Sequence, residues 1–154
     1  MAPPLINVRE GSVHPAIDRA VAAAILLITA VIVGLLLTLQ PDPRGIGTHE
    51  QLGMEPCGWA QGPNGMPCPT CGVTTAACQL VHLHPIDAVV TQPFGASMAL
   101  AGLVLAGVAA FCLGRQKSFL DLIAWLPYGT IAVGFTVLLL ASWLYKYWTF
   151  VPQP

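Results

Sequence analysis

Three stretches of this chain, residues 20–39, 94–113 and 122–144, each run for about twenty residues without a formal charge. Coiled at ~1.5 Å per residue, a run of that length matches the ~30 Å hydrocarbon layer of a bilayer. Lipid offers no partner to a backbone N–H or C=O, so such a run crosses as a helix, which bonds all its own groups. The expected fold class is therefore an all-α integral membrane protein with three transmembrane helices. Composition agrees. Only 8% of the residues are charged and 55% are hydrophobic, where soluble domains carry roughly 25% charged residues. A net charge of −1 leaves no basic surface to displace counterions from phosphates, which excludes a nucleic-acid partner. No phosphate-cradling glycine loop, H-E-x-x-H or G-x-S-x-G occurs, so a self-contained enzyme is not expected.

The chain divides at its prolines and charges. Residues 1–19 read as a polar arm, mobile or lying on the surface, and 20–39 as the first span. A secretory leader is the rival reading, since Arg19 flanks the run. The run exceeds the ~7–15 residues of a leader's core, and Gln40-Pro41-Asp42-Pro43 offers no small-residue cleavage site. Residues 40–69 form a loop rich in Pro, Gly and Cys, 70–91 short interfacial helices, 94–114 the second span and 119–148 the third. Pro127 is expected to bend that third span, and Trp143, Tyr145, Lys146, Tyr147 and Trp148 to close it with an interfacial collar. Ala30, Gly34 and Thr38 recur at every fourth position, as do Gly102, Ala106, Ala110 and Gly114. Such ridges let a second helix approach closely, in this chain or in another membrane-protein subunit.

Cations orient the chain. The tight Arg115/Lys117 loop is expected in the cytoplasm, and three crossings then put the N-terminus, with Arg9 and Arg19, there too. Arg44 and Lys146 count against this arrangement. The Cys-bearing loop faces outward, which in a bacterial inner membrane is the side where disulfides persist.

Chemistry concentrates in Cys68-Pro69-Thr70-Cys71. Pro67 and Pro69 hold Cys68 out of a helix, and Thr70 or Cys71 is expected to cap the helix that follows. Helix N–H groups aimed at the sulfurs would favour thiolates. The C-x-x-C spacing lets two sulfurs face one point, as in half a zinc ribbon or a thiol–disulfide pair. Cys57, eleven residues upstream across a Gly/Pro loop, can join them, with His49 the best-placed fourth ligand. A staple between Cys57 and Cys68 or Cys71, a bound metal such as zinc, and an exchanging thiol pair all remain open. Cys78 lies about 10 Å up the helix axis from Cys71, too far to share one zinc. Cys78 and His82, one turn apart, can share a separate ligand. Cys78 and Cys112 are otherwise small packing residues.

Cys57, Cys68-Pro69-Thr70-Cys71-Gly72-Val73-Thr74 and Gln92-Pro93-Phe94 together resemble a family of small bacterial membrane proteins of unknown function. Its signature is a first Cys, then C-P-x-C-G-x-T-R, a short helix and an N-P-[LF] step into a membrane helix. The likeness runs from Cys57 to about Leu113. Thr75 stands where that family has Arg, and Gln92 where it has Asn. The family has no assigned activity, so the resemblance implies the topology and the weight of the cysteine turn, and no reaction. The most economical role is an accessory or structural subunit packed into a larger membrane complex. The alternative is a metal-binding or thiol–disulfide protein working on the outer face.

Overall fold

The computed structural model describes residues 7–11, 13–61 and 65–149. Among them no β-strand forms, apart from an isolated bridge between Asn7 and Lys117. In chain order come α1 (Pro15–Thr38), a 3-10 turn (Thr48–Leu52), α2 (Gly58–Gln61), α3 (Val73–Val81), α4 (Pro85–Thr91), α5 (Pro93–Arg115), α6 (Phe119–Ala124) and α7 (Tyr128–Thr149). Among the described residues, helices α1, α5 and α7, of 24, 23 and 22 residues, are the three long and apolar enough to cross a membrane. Their outward faces carry large apolar side chains such as Leu27, Val31, Val104, Val133 and Val137. Water would penalise that surface and lipid does not.

The chain separates into two compact units. One comprises Met1–Val33 and Ala101–Tyr128, the other Gly34–Leu100 and Gly129–Pro154, so α1 and α5 each contribute to both.

In the first unit α1 starts at Pro15, five residues ahead of the uncharged run. Proline suits the first helical position because its φ is already helical and its missing N–H had no partner to lose. The arm before it is not loose where it is described. Val8 is buried, its N–H bonds the Gln116 carbonyl at 3.0 Å, and Asn7 Oδ1 accepts from Lys117 Nζ at 3.1 Å. Residues 1–6 and 12 of the expected arm lie outside the described residues. Ala22, Ala109, Cys112 and Phe119 form the core, so Cys112 is a packing residue.

Asp18, the last polar residue before the apolar run but for Arg19, is only 2% exposed. Its carboxylate accepts from Ser118 Oγ at 3.0 Å, Phe119 N at 3.2 Å and Leu120 N at 2.8 Å. These are orphan donors at the start of α6, whose N-cap is Ser118, and a carboxylate suits that positive helix end. The expected bend at Pro127 is a full break. Residues 125–127 separate α6 from α7, because proline has no N–H to continue the ladder and restricts the residue before it. Asp121, half-buried in the first turn of α6, donates its N–H to Ser118 Oγ.

The second unit gathers the Cys turn, α3, α4 and most of α7. The stretch expected as plain loop holds a 3-10 turn and α2, and is tied down by side chains. Gln40 and Gln51 exchange two hydrogen bonds. Thr48 Oγ1, buried, bonds buried Thr75 Oγ1 at 2.9 Å and accepts from Asp42 N at 3.0 Å. Leu36, Leu39 and Cys78 make one small core, and Ala76, Ala88 and Ala96 another. The alanines let α3 and α4 pack closely. Phe94 and Phe135 meet edge to face, 6.1 Å between ring centres.

Candidate metal centre

The cysteine turn is built by its neighbours as much as by its own prolines. The Pro67 carbonyl accepts from Trp143 Nε1 at 3.0 Å and the Pro69 carbonyl from Gln92 Nε2 at 3.1 Å. Gln92 is fully buried, and its Oε1 accepts from Phe94 N at 3.2 Å. One amide thus fixes both the turn and the start of α5. The turn closes through Cys71 N to Cys68 O at 3.0 Å and passes into α3 at Gly72.

The N-cap of α3 is Gly72, not Thr70 or Cys71, and no side chain caps it. Gly72 has φ +91°, and a Cβ there would lie 2.7 Å from the Gly45 carbonyl oxygen. Positive φ and lack of room together demand glycine. The helix therefore starts after both cysteines, which weakens the expected pull of its dipole on them.

Within this frame the sulfurs of Cys57, Cys68 and Cys71 lie within 4.8 Å of one another. Cys68 Sγ sits 3.2 Å from Cys71 Sγ, and Cys68 N donates to Cys71 Sγ at 3.3 Å. Thr70 Oγ1 is 3.3 Å from Cys68 Sγ. Cys71 is buried, while Cys57 and Cys68 are half-buried. Burial pushes the Cys71 thiol well above its ordinary pKa, and hydrogen bonding with Cys68 and Cys57 adds to the rise. That reverses the expected thiolate preference at this position. None of the five cysteines is in a disulfide, so the expected staple between Cys57 and Cys68 or Cys71 is not formed.

Metal–sulfur bonds of ~2.3 Å around a tetrahedral ion put sulfurs ~3.8 Å apart. The trio spans that value, and the Cys68–Cys71 pair needs to open by about 0.5 Å. Soft thiolates suit zinc and its thiophilic neighbours. His49, the expected fourth ligand, lies in the 3-10 turn and is not part of the cluster found among the described residues. Three sulfurs leave one position of a four-coordinate ion to another donor.

Cys78 Sγ and His82 Nδ1, expected to be able to share a ligand, lie 3.7 Å apart. The Cys78 thiol is fully buried and donates to the Leu36 and Leu39 carbonyls at 3.4 and 3.5 Å, at the end of α1. Desolvation holds its pKa above the ordinary thiol value. His82 donates to the Cys78 carbonyl at 2.9 Å. The Cys78 carbonyl also accepts from His82 N at 3.0 Å, so the histidine closes the end of α3 through both its backbone and its ring.

Trp143, Tyr145 and Lys146 were legible only as an interfacial collar. Trp143 holds the Cys turn, Tyr145 OH donates to the Val90 carbonyl at 2.8 Å, and Lys146 Nζ donates to the Gly45 and Thr91 carbonyls, each at 3.2 Å. The i, i+3 spacing of Trp143 and Lys146, which puts them on one helix face, was the available signal. Of the packing ridges, Ala30, Gly34 and Thr38 are all exposed, whereas Ala106 is buried beside exposed Ala110 and Gly114.

A family model described as a protein of unknown function (DUF2752) matches residues 64–106. The expected likeness to a family of unknown function holds, over a shorter stretch that contains Cys68, Cys71, α3 and α4 but not Cys57. No curated protein and no solved structure matches the chain.

Proposed function

We propose that this chain is a membrane protein whose Cys57, Cys68 and Cys71 hold one thiophilic metal ion, zinc being the ordinary candidate. The convergence of three sulfurs within 4.8 Å carries the reading. Binding would displace three thiol protons, which the raised Cys71 value makes harder at acidic pH. The metal turn is expected to face outward from a bacterial inner membrane, with the N-terminus cytoplasmic. Arg44, which counted against that orientation, is paired with Asp42 and Glu50, and Lys146 is buried. Elemental analysis with a thiol count on detergent-purified protein tests the site. One metal per chain, lost in Cys71→Ser, is expected. Protein that takes up no zinc after reduction overturns the reading.

A second reading, an accessory subunit of a larger complex, draws on the open faces of α1 and α5. A Cβ built on Gly34, Gly102 or Gly114 would meet nothing within 4 Å, so those glycines are not used for packing inside this chain. Gly34→Leu and Gly102→Leu are expected to lower recovery of co-purifying membrane proteins. A wild-type chain that migrates as a lone monomer in mild detergent would remove this reading.

A further inference from the structure

Lys146 is a cation in an unusual place. It lies on α7, is 7% exposed, and among the described residues no carboxylate pairs with it. Its ammonium has three hydrogens to donate, and two go to the Gly45 and Thr91 carbonyls. A buried charge supported by dipoles alone is costly unless something nearby balances it. The nearest formal charge on the loop is Arg44, beside Gly45, and it is already held by Asp42 and Glu50. What Lys146 does face is the cysteine turn. Its Nζ is 3.4 Å from where a Cβ would stand on Gly72, the residue next to Cys71.

We propose that Lys146 is the built-in counter-charge of the three-sulfur site, so that the species held there is an anionic tris-thiolate complex of a divalent ion. This rests on the metal reading of the turn. The balance is explicit. A divalent ion replaces three thiol protons: three S–H bonds break, three metal–sulfur bonds form, and the three protons leave to solvent. Three thiolates and one divalent ion carry −1, and the ammonium brings the whole to zero. Before loading, three neutral thiols leave the ammonium uncompensated at +1. The loaded state is thus the neutral one, which a poorly solvated site favours. The Gly45 and Thr91 carbonyls hold Nζ in place and leave one of its three hydrogens over. Gly72 and Gln92, which share that corner with Nζ around the Gly72 Cβ position, bring no charge of their own.

The test is a cobalt(II) titration of the full chain in detergent, with a competing chelator, read from the sulfur-to-cobalt charge-transfer band. Residues supporting a metal site from behind its ligands typically change affinity 10–100-fold when altered. Lys146→Gln and the similarly sized apolar Lys146→Met are expected to weaken cobalt about 10–100-fold and to move the band to lower energy. Lys146→Arg, which keeps the charge, is expected to stay within a few fold of wild type. Should one neutral variant fail to fold, the other carries the comparison. Wild-type affinity and band position in the neutral variants overturn the proposal, and so does an Arg variant as weak as they are. A wild-type chain that binds no cobalt is a different failure, since it removes the metal site itself.

Discussion

Asp18 in the first unit and Lys146 in the second are buried to a similar degree, 2% and 7% exposed, yet they are satisfied differently. Asp18 accepts three hydrogen bonds from the start of α6, so its charge meets a matching set of donors. Lys146 donates to two carbonyls and stands 3.4 Å from the Cβ position of Gly72, next to Cys71. A closed set of partners marks a group that holds structure together. An open one, next to polarizable ligands, marks a group waiting on something else. Substitutions should therefore separate the two, the first acting on folding and the second on what the turn binds.

The sharpest separation comes from the ligands themselves. Cys71→Ser is expected to lower metal affinity by more than about 100-fold, beyond the 10–100-fold typical of supporting residues, while Asp18→Ala leaves one ion per chain. Metal content of both proteins checks this. An Asp18 variant that folds but loses the metal would break the contrast. Next in size is Asp18→Ala on stability. It strands a hydroxyl and two backbone N–H groups, and hydrogen bonds to a charged group contribute ~1.5–3 kcal/mol each, so a loss of at least about 3 kcal/mol is expected in denaturant unfolding even after partial rehydration of those donors. Asp18→Asn, which keeps an acceptor but not the charge, should lose about half as much.

These two charges also show where the sequence stops being readable. The three long helices were legible because length and apolarity are local properties of a run. Cys68 and Cys71 were legible because their spacing is local too, and Cys57 because a short Gly/Pro loop permits its approach. Asp18 meets Ser118 across 100 residues, and Lys146 meets Gly45 across 101. No periodicity predicts which backbone groups will stand opposite a side chain at such separation. Lys146 therefore read as one member of a collar, and Asp18 as the end of an arm. Gln92 shows the same limit. Its place before Pro93 was noticed, but its bond to the Pro69 carbonyl depends on the folded turn. His49 differs, since proximity along the loop does not place it in the cluster of sulfurs found among the described residues.

A smaller effect refines the contrast within the second unit. Thr48 and Thr75 form a buried hydroxyl pair, and Thr48→Val leaves Thr75 Oγ1 and Asp42 N short of a partner. A loss of about 1–2 kcal/mol is expected. Thr48→Val with Thr75→Val should recover part of it, because removing both polar partners costs less than removing one. If the double variant is as unstable as the sum of the singles, the pair is not coupled and the loop is held by other contacts.

The smallest effect belongs to Arg44, whose guanidinium bonds Asp42 at 2.7 Å and Glu50 at 2.8 Å on the surface. Hydrogen bonding to Arg44 holds the Asp42 carboxyl below the usual carboxylate range. Exposure screens the pair, so Arg44→Ala is expected to cost at most about 1 kcal/mol at neutral pH, and less in high salt. The sign with pH follows from the depressed folded value. The contribution is fully present above the unfolded Asp pKa of ~3.9 and is lost as pH falls through the lower folded one. Wild type and Arg44→Ala should therefore differ by a constant amount from pH 7 to about pH 5 and converge below about pH 4. At neutral pH Asp18→Ala should show a larger gap than Arg44→Ala and one insensitive to salt, since its partners are buried dipoles with no screening ions between them. Equal salt sensitivity in the two gaps would mean that Asp18 is held no more privately than Arg44.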